Sequence, residues 1–365
     1  ITVAISFIML SGKKIGLFSR DALKESISAY NVGGIASLTK FILKGIFLFE
    51  LLGAIVMMPF FCKEFGWNGV WMSIFHSISA FCNAGIDIIA ENSLCNYVLN
   101  PIINIVTCAL IILGGIGYIV WWDVLRVLKL ARTKKVKFFR DLTLHSKIAI
   151  AATLILIFVG AAFIFAFEYN NPQTMKDYTL LQKIEVSLFQ SVTTRTAGFA
   201  TVPQENLTNA SAIVCLLLMF IGGSPVGTAG GIKTVTFAVI IVAAIASIRN
   251  KEDTEVFGRQ LTKQAVSKAV AVTCMSFIIM FTSTVLLSAV TDANALDIVY
   301  ETVSATATVG LTRNLTVSLD SIGKLIIIIT MYLGRVGPIS LAVAFKRNKD
   351  NQNIVRNPIE EISVG

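Results

Sequence analysis

Long apolar runs alternate with short mixed segments along this chain. Ile1 to about Leu10 is expected to be the tail of a membrane helix entering the cytoplasm at Lys13, so the chain reads as truncated at its start. Leu17–Leu38 reads as a mixed-polarity helix at the inner surface. Phe41–Phe61 is long enough to span a bilayer, at roughly 20 residues per crossing. Trp71–Cys82 is too short to span and leads into Gly85, and Asn100–Trp122 runs back. The plan then recurs. Ile148–Phe167 crosses, Thr179–Thr194 is short, and Ser211–Ile248 returns. Val266–Val290, Ala293–Ala307 and Ile322–Phe345 repeat it again, before a polar tail, Lys346–Gly365.

Each short segment ends in the same way: a polar residue, a small apolar one, a glycine and a bulky apolar residue. The three sets are Asn83-Ala84-Gly85-Ile86, Thr196-Ala197-Gly198-Phe199 and Thr308-Val309-Gly310-Leu311. Their glycines stand 113 and 112 positions apart. One such glycine would be read as the end of a helix. Three at this spacing, each between apolar runs, point to a pore lined by backbone carbonyls, whose inward-pointing peptides need the φ values glycine allows. The short helices would aim their C-terminal dipoles at that point and favour a cation. Counting back by one more repeat places a further helix and loop before Ile1, and so four repeats in a parent protein.

Composition sharpens the class. The chain has 365 residues, 55% of them hydrophobic and only 15% charged, with mean hydropathy +0.75, which excludes a soluble domain. The net charge of +9 follows the membrane pattern rather than a nucleic-acid surface. Basic residues crowd the stretches 126–147 and 249–268 and both ends, whereas the opposite loops carry mostly acids, including Asp87, Glu91, Glu205 and Asp297. The positive-inside rule puts the basic loops in the cytoplasm and the glycine segments near the outside. The expected fold is an all-α polytopic membrane protein of helix–pore loop–helix units in pseudo-fourfold arrangement, three complete plus the tail of a first. Its expected divisions are 1–40, 41–125 (second repeat), 126–147 (basic loop), 148–250 (third repeat), 251–265, 266–345 (fourth repeat) and 346–365.

The run Gly222-Gly223-Ser224-Pro225-Val226-Gly227-Thr228-Ala229-Gly230-Gly231-Ile232-Lys233 breaks the second returning helix, since a continuous helix does not readily hold so many glycines and a proline. Non-helical backbone at that depth is buried in protein or lines water. The run is expected under the filter, obstructing the path; a packing kink is the plainer alternative. A nucleotide P-loop fails on spacing, because Ile232 stands where its glycine should be. Arg335, inside the last span, has three readings: it bonds the carbonyls of the broken loop, repels cations as a barrier, or snorkels to the inner face. Arg195 is read as pairing with an outer acid and shaping the mouth. Glu50 and His76 are read as hydrogen-bonding on or to a pore helix, and Lys324 as snorkelling. Six cysteines show no metal spacing, and only Cys62 and Cys95 are placed to meet across an outer loop. With His76 and His145 alone, no HExxH site or catalytic triad is available, so an intramembrane enzyme lacks its catalytic set.

These motifs together resemble the membrane subunits of the Trk/Ktr/HKT potassium transporters, the Ktr type most. The residues that carry the likeness are Phe75–Gly85, Thr193–Phe199, Gly222–Lys233 and Gly334-Arg335-Val336-Gly337-Pro338, over nearly the whole chain. The resemblance implies a filter with one key glycine per repeat and K⁺ held at filter carbonyls. It also implies a gate built from Gly222, Gly223, Ser224, Pro225, Gly227, Thr228, Gly230, Gly231, Lys233 and a facing Arg335. It implies a homodimer in the bacterial plasma membrane on a cytoplasmic ring of nucleotide-binding regulatory subunits, taking up K⁺ with Na⁺ dependence and without a covalent cofactor. Ile86 stands where the family commonly has Phe, and Pro225-Val226-Gly227-Thr228 where Pro-Gly-Ser-Thr is usual. The alternative is a secondary cation transporter with broken helices, marked by inverted repeats, whereas these repeats run parallel.

Overall fold

The computed structural model describes residues 35–89, 92–132, 137–251 and 253–337. The readings of 1–34 and of the tail after 337 lie outside these residues.

Three units follow one another, each an outer helix, a pore helix and an inner helix. The first has α1 (Ile35–Phe65), α2 (Asn68–Phe81) and α3 (Pro101–Gly115). After α4 (Tyr118–Ala131) and the short α5 (Phe138–Asp141), the second has α6 (Leu144–Glu168), α7 (Leu180–Thr193) and α8 (Asn209–Phe220). α9 (Thr234–Ile248) and a hairpin, β1 (Glu255–Val256) with β2 (Arg259–Gln260), lead to the third. It consists of α10 (Lys263–Ser288), α11 (Ala295–Ala307), a turn α12 (Leu315–Ser318) and α13 (Ser321–Val336). Lys40–Phe65, Leu144–Glu168 and Lys263–Ser288 are long and apolar enough to cross a membrane.

Local chemistry sets the helix ends. Asn100 caps α3 by accepting from Ile103 N–H, with Pro101 at the first helical position, where a missing N–H costs nothing. Thr143, Thr208 and Thr262 cap α6, α8 and α10 in the same way, and Asp320 caps α13. Gln182 reaches back to the Thr179 N–H at 2.9 Å at the start of α7.

In the first and third units the three helices pack on one another, in the second α6 packs on both α7 and α8, and the first two inner helices also meet the pore helix of the next unit, α3 against α7 and α8 against α11. The core therefore gathers around the pore helices, where Phe81, Phe189, Phe199 and Tyr300 are fully buried, while the lipid side of the outer helices keeps large apolar side chains such as Phe47, Ile155 and Phe281 exposed. Serine hydroxyls on two pore helices bond outer-helix carbonyls: Ser77 donates to Glu50 O at 2.6 Å and Ser191 to Ile157 O at 2.8 Å.

Two expectations need correction. Asn100–Trp122 is not one straight helix, because the chain turns by 95° between α3 and α4. The cause is Gly117 at φ +94°, which a Cβ would forbid. The stretch 126–147 is not a loop either: α4 runs on to Ala131, α5 follows, and α6 begins at Leu144. Asp123 organises this corner, accepting from Arg126 at 2.6 Å, from Thr143 N at 2.8 Å and from Thr143 Oγ1 at 2.9 Å.

Candidate pore and its broken loop

The three glycine segments share a backbone plan. Asn83, Thr196 and Thr308 all have positive φ, at 50°, 67° and 55°, and so do Gly85, Gly198 and Gly310, at 64°, 89° and 96°. The intervening Ala84, Ala197 and Val309 donate their N–H groups back to the pore helix, to Ser79, Thr193 and Ser304 O at 2.9–3.0 Å. The same three hydroxyl residues then hold the bend. Ser79 Oγ donates to Ile86 O at 2.6 Å and accepts from Ile86 N at 3.0 Å. Thr193 Oγ1 donates to Phe199 O at 2.5 Å, and Ser304 Oγ accepts from Gly310 N at 3.1 Å.

The segments converge. A Cβ on Gly85 would lie 2.4 Å from Ala197 O, and one on Gly198 would lie 2.5 Å from Val309 O. Both contacts forbid a side chain. Gly310 has more room, its nearest neighbour for such a Cβ being Gly198 Cα at 3.7 Å. Phe199 and Leu311 are buried beside the glycine bends, whereas Ile86 is 60% exposed.

Residues 221–233 separate α8 from α9 without helix. The neck of this loop is closed where Ile221 pairs with Ile232, whose N–H reaches Phe220 O at 3.1 Å. Inside the neck, the loop docks on the bend of the first unit. Ser224 N and Thr228 N donate to Gly115 O and Gly114 O at 2.8 and 3.1 Å, carbonyls that the end of α3 leaves without a helical partner. Tyr118 N in turn donates to Val226 O at 3.1 Å.

The loop also touches the polar residue of every glycine segment. Thr228 Oγ1 lies 2.9 Å from Asn83 Oδ1 and 3.1 Å from Phe81 O, and Gly230 N donates to Thr196 Oγ1 at 3.0 Å. A Cβ on Gly230 would meet Thr308 Oγ1 at 2.0 Å. Among the named loop residues, Ser224 Oγ pairs with Thr234 Oγ1 at 2.8 Å and Lys233 Nζ donates to Ala229 O at 2.7 Å. Gly222, Gly223 and Gly227 press on the neighbouring backbone or on Ala229, and Pro225 faces Gly117. Arg335 Nη1 points at Thr228 O, 3.4 Å away, in line with the carbonyl-bonding reading.

Arg195 departs from expectation. It is 6% exposed and meets no outer acid in an ion pair among the described residues. Its Nη2 donates to Gly222 O at 3.1 Å and its Nη1 to Thr153 O at 3.3 Å. The turn that carries Arg195 N–H to Val192 O leaves the side chain inward, behind the second glycine bend. His76 is buried with Nδ1 at 2.8 Å from Met72 O, and Cys82 Sγ stands 4.0 Å from the Glu50 carboxylate. Lys324 is exposed. Cys62 and Cys95 are both free, and burial raises the outer-loop Cys95 thiol to about 11.

Several links between units were not anticipated. Gln204 Oε1 accepts from Gln190 of α7 at 2.6 Å and from Tyr300 of α11 at 2.9 Å. Asn104 of α3 donates to Glu185 of α7 at 2.9 Å. Arg313 joins Asp297 at 2.7 Å to Gln204 O at 2.9 Å. Glu185, an acid in the middle of α7, was the one available signal among these.

Helix–pore loop–helix units with glycine bends meeting at one point define an ion-pathway membrane protein. The chain belongs to the TrkH family, described as cation transport protein, which matches residues 1–356. It is 37% identical over 365 residues to the Ktr system potassium uptake protein B of Bacillus subtilis (strain 168), covering 100% of this chain and 79% of that one. It is 35% identical over 370 residues to the potassium/sodium uptake protein NtpJ of Enterococcus hirae, again covering 100% and 79%. The fold matches the potassium transporter TrkH from Vibrio parahaemolyticus with a TM-score of 0.72, at 15% identity, over 89% of this chain and 68% of that one.

Proposed function

We propose that this chain is the ion-conducting subunit of a potassium uptake system. K⁺ sheds water onto backbone carbonyls around Gly85, Gly198 and Gly310 together with a fourth segment, and passes residues 222–233 when that loop moves. The observation that carries this reading is the convergence of three bends of the same φ pattern on one point, with the loop docked against Asn83, Thr196 and Thr308. The C-terminal ends of α2, α7 and α11 favour a cation there. The pore repeats are 41–125, 148–250 and 266–345. The protein is not an enzyme; it works as a homodimer in a bacterial plasma membrane, with a cytoplasmic nucleotide-binding ring moving the loop. Relatives called potassium and potassium/sodium uptake proteins support K⁺ as substrate and Na⁺ as a coupling or co-transported ion.

Growth rescue tests the reading. The protein, expressed from its complete reading frame with its regulatory partner, should restore growth at low K⁺ to a bacterium lacking its own K⁺ uptake. Gly198→Ser, expressed equally, should not. No rescue with good expression would sink the assignment. Excising Gly223–Gly230 should raise flux without the partner. The neck permits the excision, because a Cβ on Gly231 would lie 3.1 Å from Gly222 Cα. A second reading, a secondary cation transporter, draws on the bend between α3 and α4 and the break between α8 and α9; uptake coupled one-for-one to efflux of a second ion would favour it.

A further inference from the structure

The two ends of the broken loop are held by consecutive residues of the second glycine segment. Arg195 donates to Gly222 O at the start of the loop, and Thr196 accepts from Gly230 N near its end. Arg195 is the less expected of the two. A buried charge without an acid partner is costly, and a guanidinium is tolerated only where carbonyls take its protons. Here its fork spans the Thr153 carbonyl of the outer helix α6 and the Gly222 carbonyl of the loop. Behind it, Arg195, Asn83, Thr153 and Gly223 line one small cavity. Arg195 Nε, Asn83 Nδ2 and Thr153 Oγ1 have no hydrogen-bond partner among the described residues, so the guanidinium has donors and space to re-pair when the loop shifts.

We propose that Arg195 is the positioning residue that couples the second filter segment to the mouth of the broken loop, so that ion occupancy at Gly198 and the position of Gly222 are felt by one another. This rests on reading 222–233 as a gate. Movement of Gly222 draws its carbonyl from the guanidinium, and the strain falls on Arg195 and Thr196, three and two positions before Gly198. Ions in the filter would hold the bend and, through Arg195, the loop.

The test is rubidium uptake into proteoliposomes of the complete protein, reading half-saturating K⁺ and maximal flux separately. Arg195→Lys and Arg195→Gln are compared in the intact protein and with Gly223–Gly230 excised. A lysine keeps the charge but cannot span both carbonyls. Both variants should raise half-saturating K⁺ about tenfold in the intact protein, the worth of one lost charge-assisted bond. Both shifts should shrink to about twofold or less in the excised protein, where Arg195 keeps the Gly222 carbonyl but the loop that Gly222 carried, with the Gly230 partner of Thr196, is gone. Equal shifts in both backgrounds would place Arg195 in the filter alone and overturn the coupling. So would wild-type behaviour of Arg195→Lys, which would leave charge as the whole effect, or no shift at all. Failure of both variants to accumulate as monodisperse protein would assign Arg195 to folding and likewise overturn it. Unchanged maximal flux on excision would sink the gate separately, because the coupling is read in half-saturation.

Discussion

The glycine bends and the broken loop are both irregular backbone between apolar helices, but they are held in different ways. Each bend is fastened by its own pore helix, through Ser79, Thr193 or Ser304, across no more than seven residues of chain. The loop closes its own neck, but what docks it in place are distant parts of the molecule: carbonyls at the end of α3, Asn83, Thr196, Arg195 and Arg335. A local clasp closes with its helix and stays closed. A set of long-range bonds dissolves together when neighbouring elements shift, since each depends on two elements keeping their distance. On the proposed function, the same chemistry thus gives a fixed element and a movable one. Filter changes should therefore alter ion preference, and loop changes should alter basal flux.

The largest break in that contrast comes from the filter glycines. Gly85→Ala and Gly198→Ala each place a Cβ within 2.5 Å of a neighbouring carbonyl oxygen, in addition to the positive-φ cost of about 1–2 kcal/mol. Both should remove K⁺ over Na⁺ preference or prevent assembly of the filter. Gly310→Ala carries mainly the φ cost, because its Cβ has nothing nearer than 3.7 Å. It should remain conducting, with preference reduced by about tenfold or less. Competitive rubidium and sodium uptake measures all three. Equal damage at the three positions would mean that φ, and not the close approach of the segments, decides.

The parts legible in the sequence follow the same division. The repeats, the short helices and the glycine bends could be read because local chemistry makes them and they recur. The second break could be read because glycine and proline punctuate it. The bend between α3 and α4 was hidden by the apolar residues on either side of Gly114-Gly115-Ile116-Gly117, although its glycines carried the signal. Arg195 was misplaced because one turn of backbone decides which way a side chain leaves the filter, and no pattern of spacing records that turn. The Gln190–Gln204–Tyr300 link joins residues far apart in sequence, so no periodicity announces it.

Thr228→Val should have the next largest effect, and on the other side of the comparison. Its single hydroxyl proton is shared between Asn83 Oδ1 and Phe81 O. Losing that bond costs the docked loop about 1 kcal/mol, so the undocked state should be populated about fivefold more often. Uptake without the regulatory partner should rise by that factor while K⁺ over Na⁺ preference stays unchanged. A fall in preference with no rise in flux would make Thr228 part of the filter and blur the division.

The smallest effects should come from the clasps, and they grade with the bonds each makes. Ser79 makes two bonds to Ile86, one donated and one accepted, whereas Ser304 only accepts from Gly310 N. Ser79→Ala should therefore lower K⁺ preference by about threefold and Ser304→Ala by less: each bond is worth roughly 1 kcal/mol to the bend, and the Ala84 and Val309 N–H bonds to the Ser79 and Ser304 carbonyls still hold it. Partner-free flux should stay at the wild-type level in both, because neither hydroxyl touches residues 222–233. A rise in basal flux from Ser304→Ala would show that a loosened bend frees the loop through Thr308, which stands against Gly230. The bends would then be part of the gate, and the distinction between local and long-range fastening would no longer separate selectivity from gating.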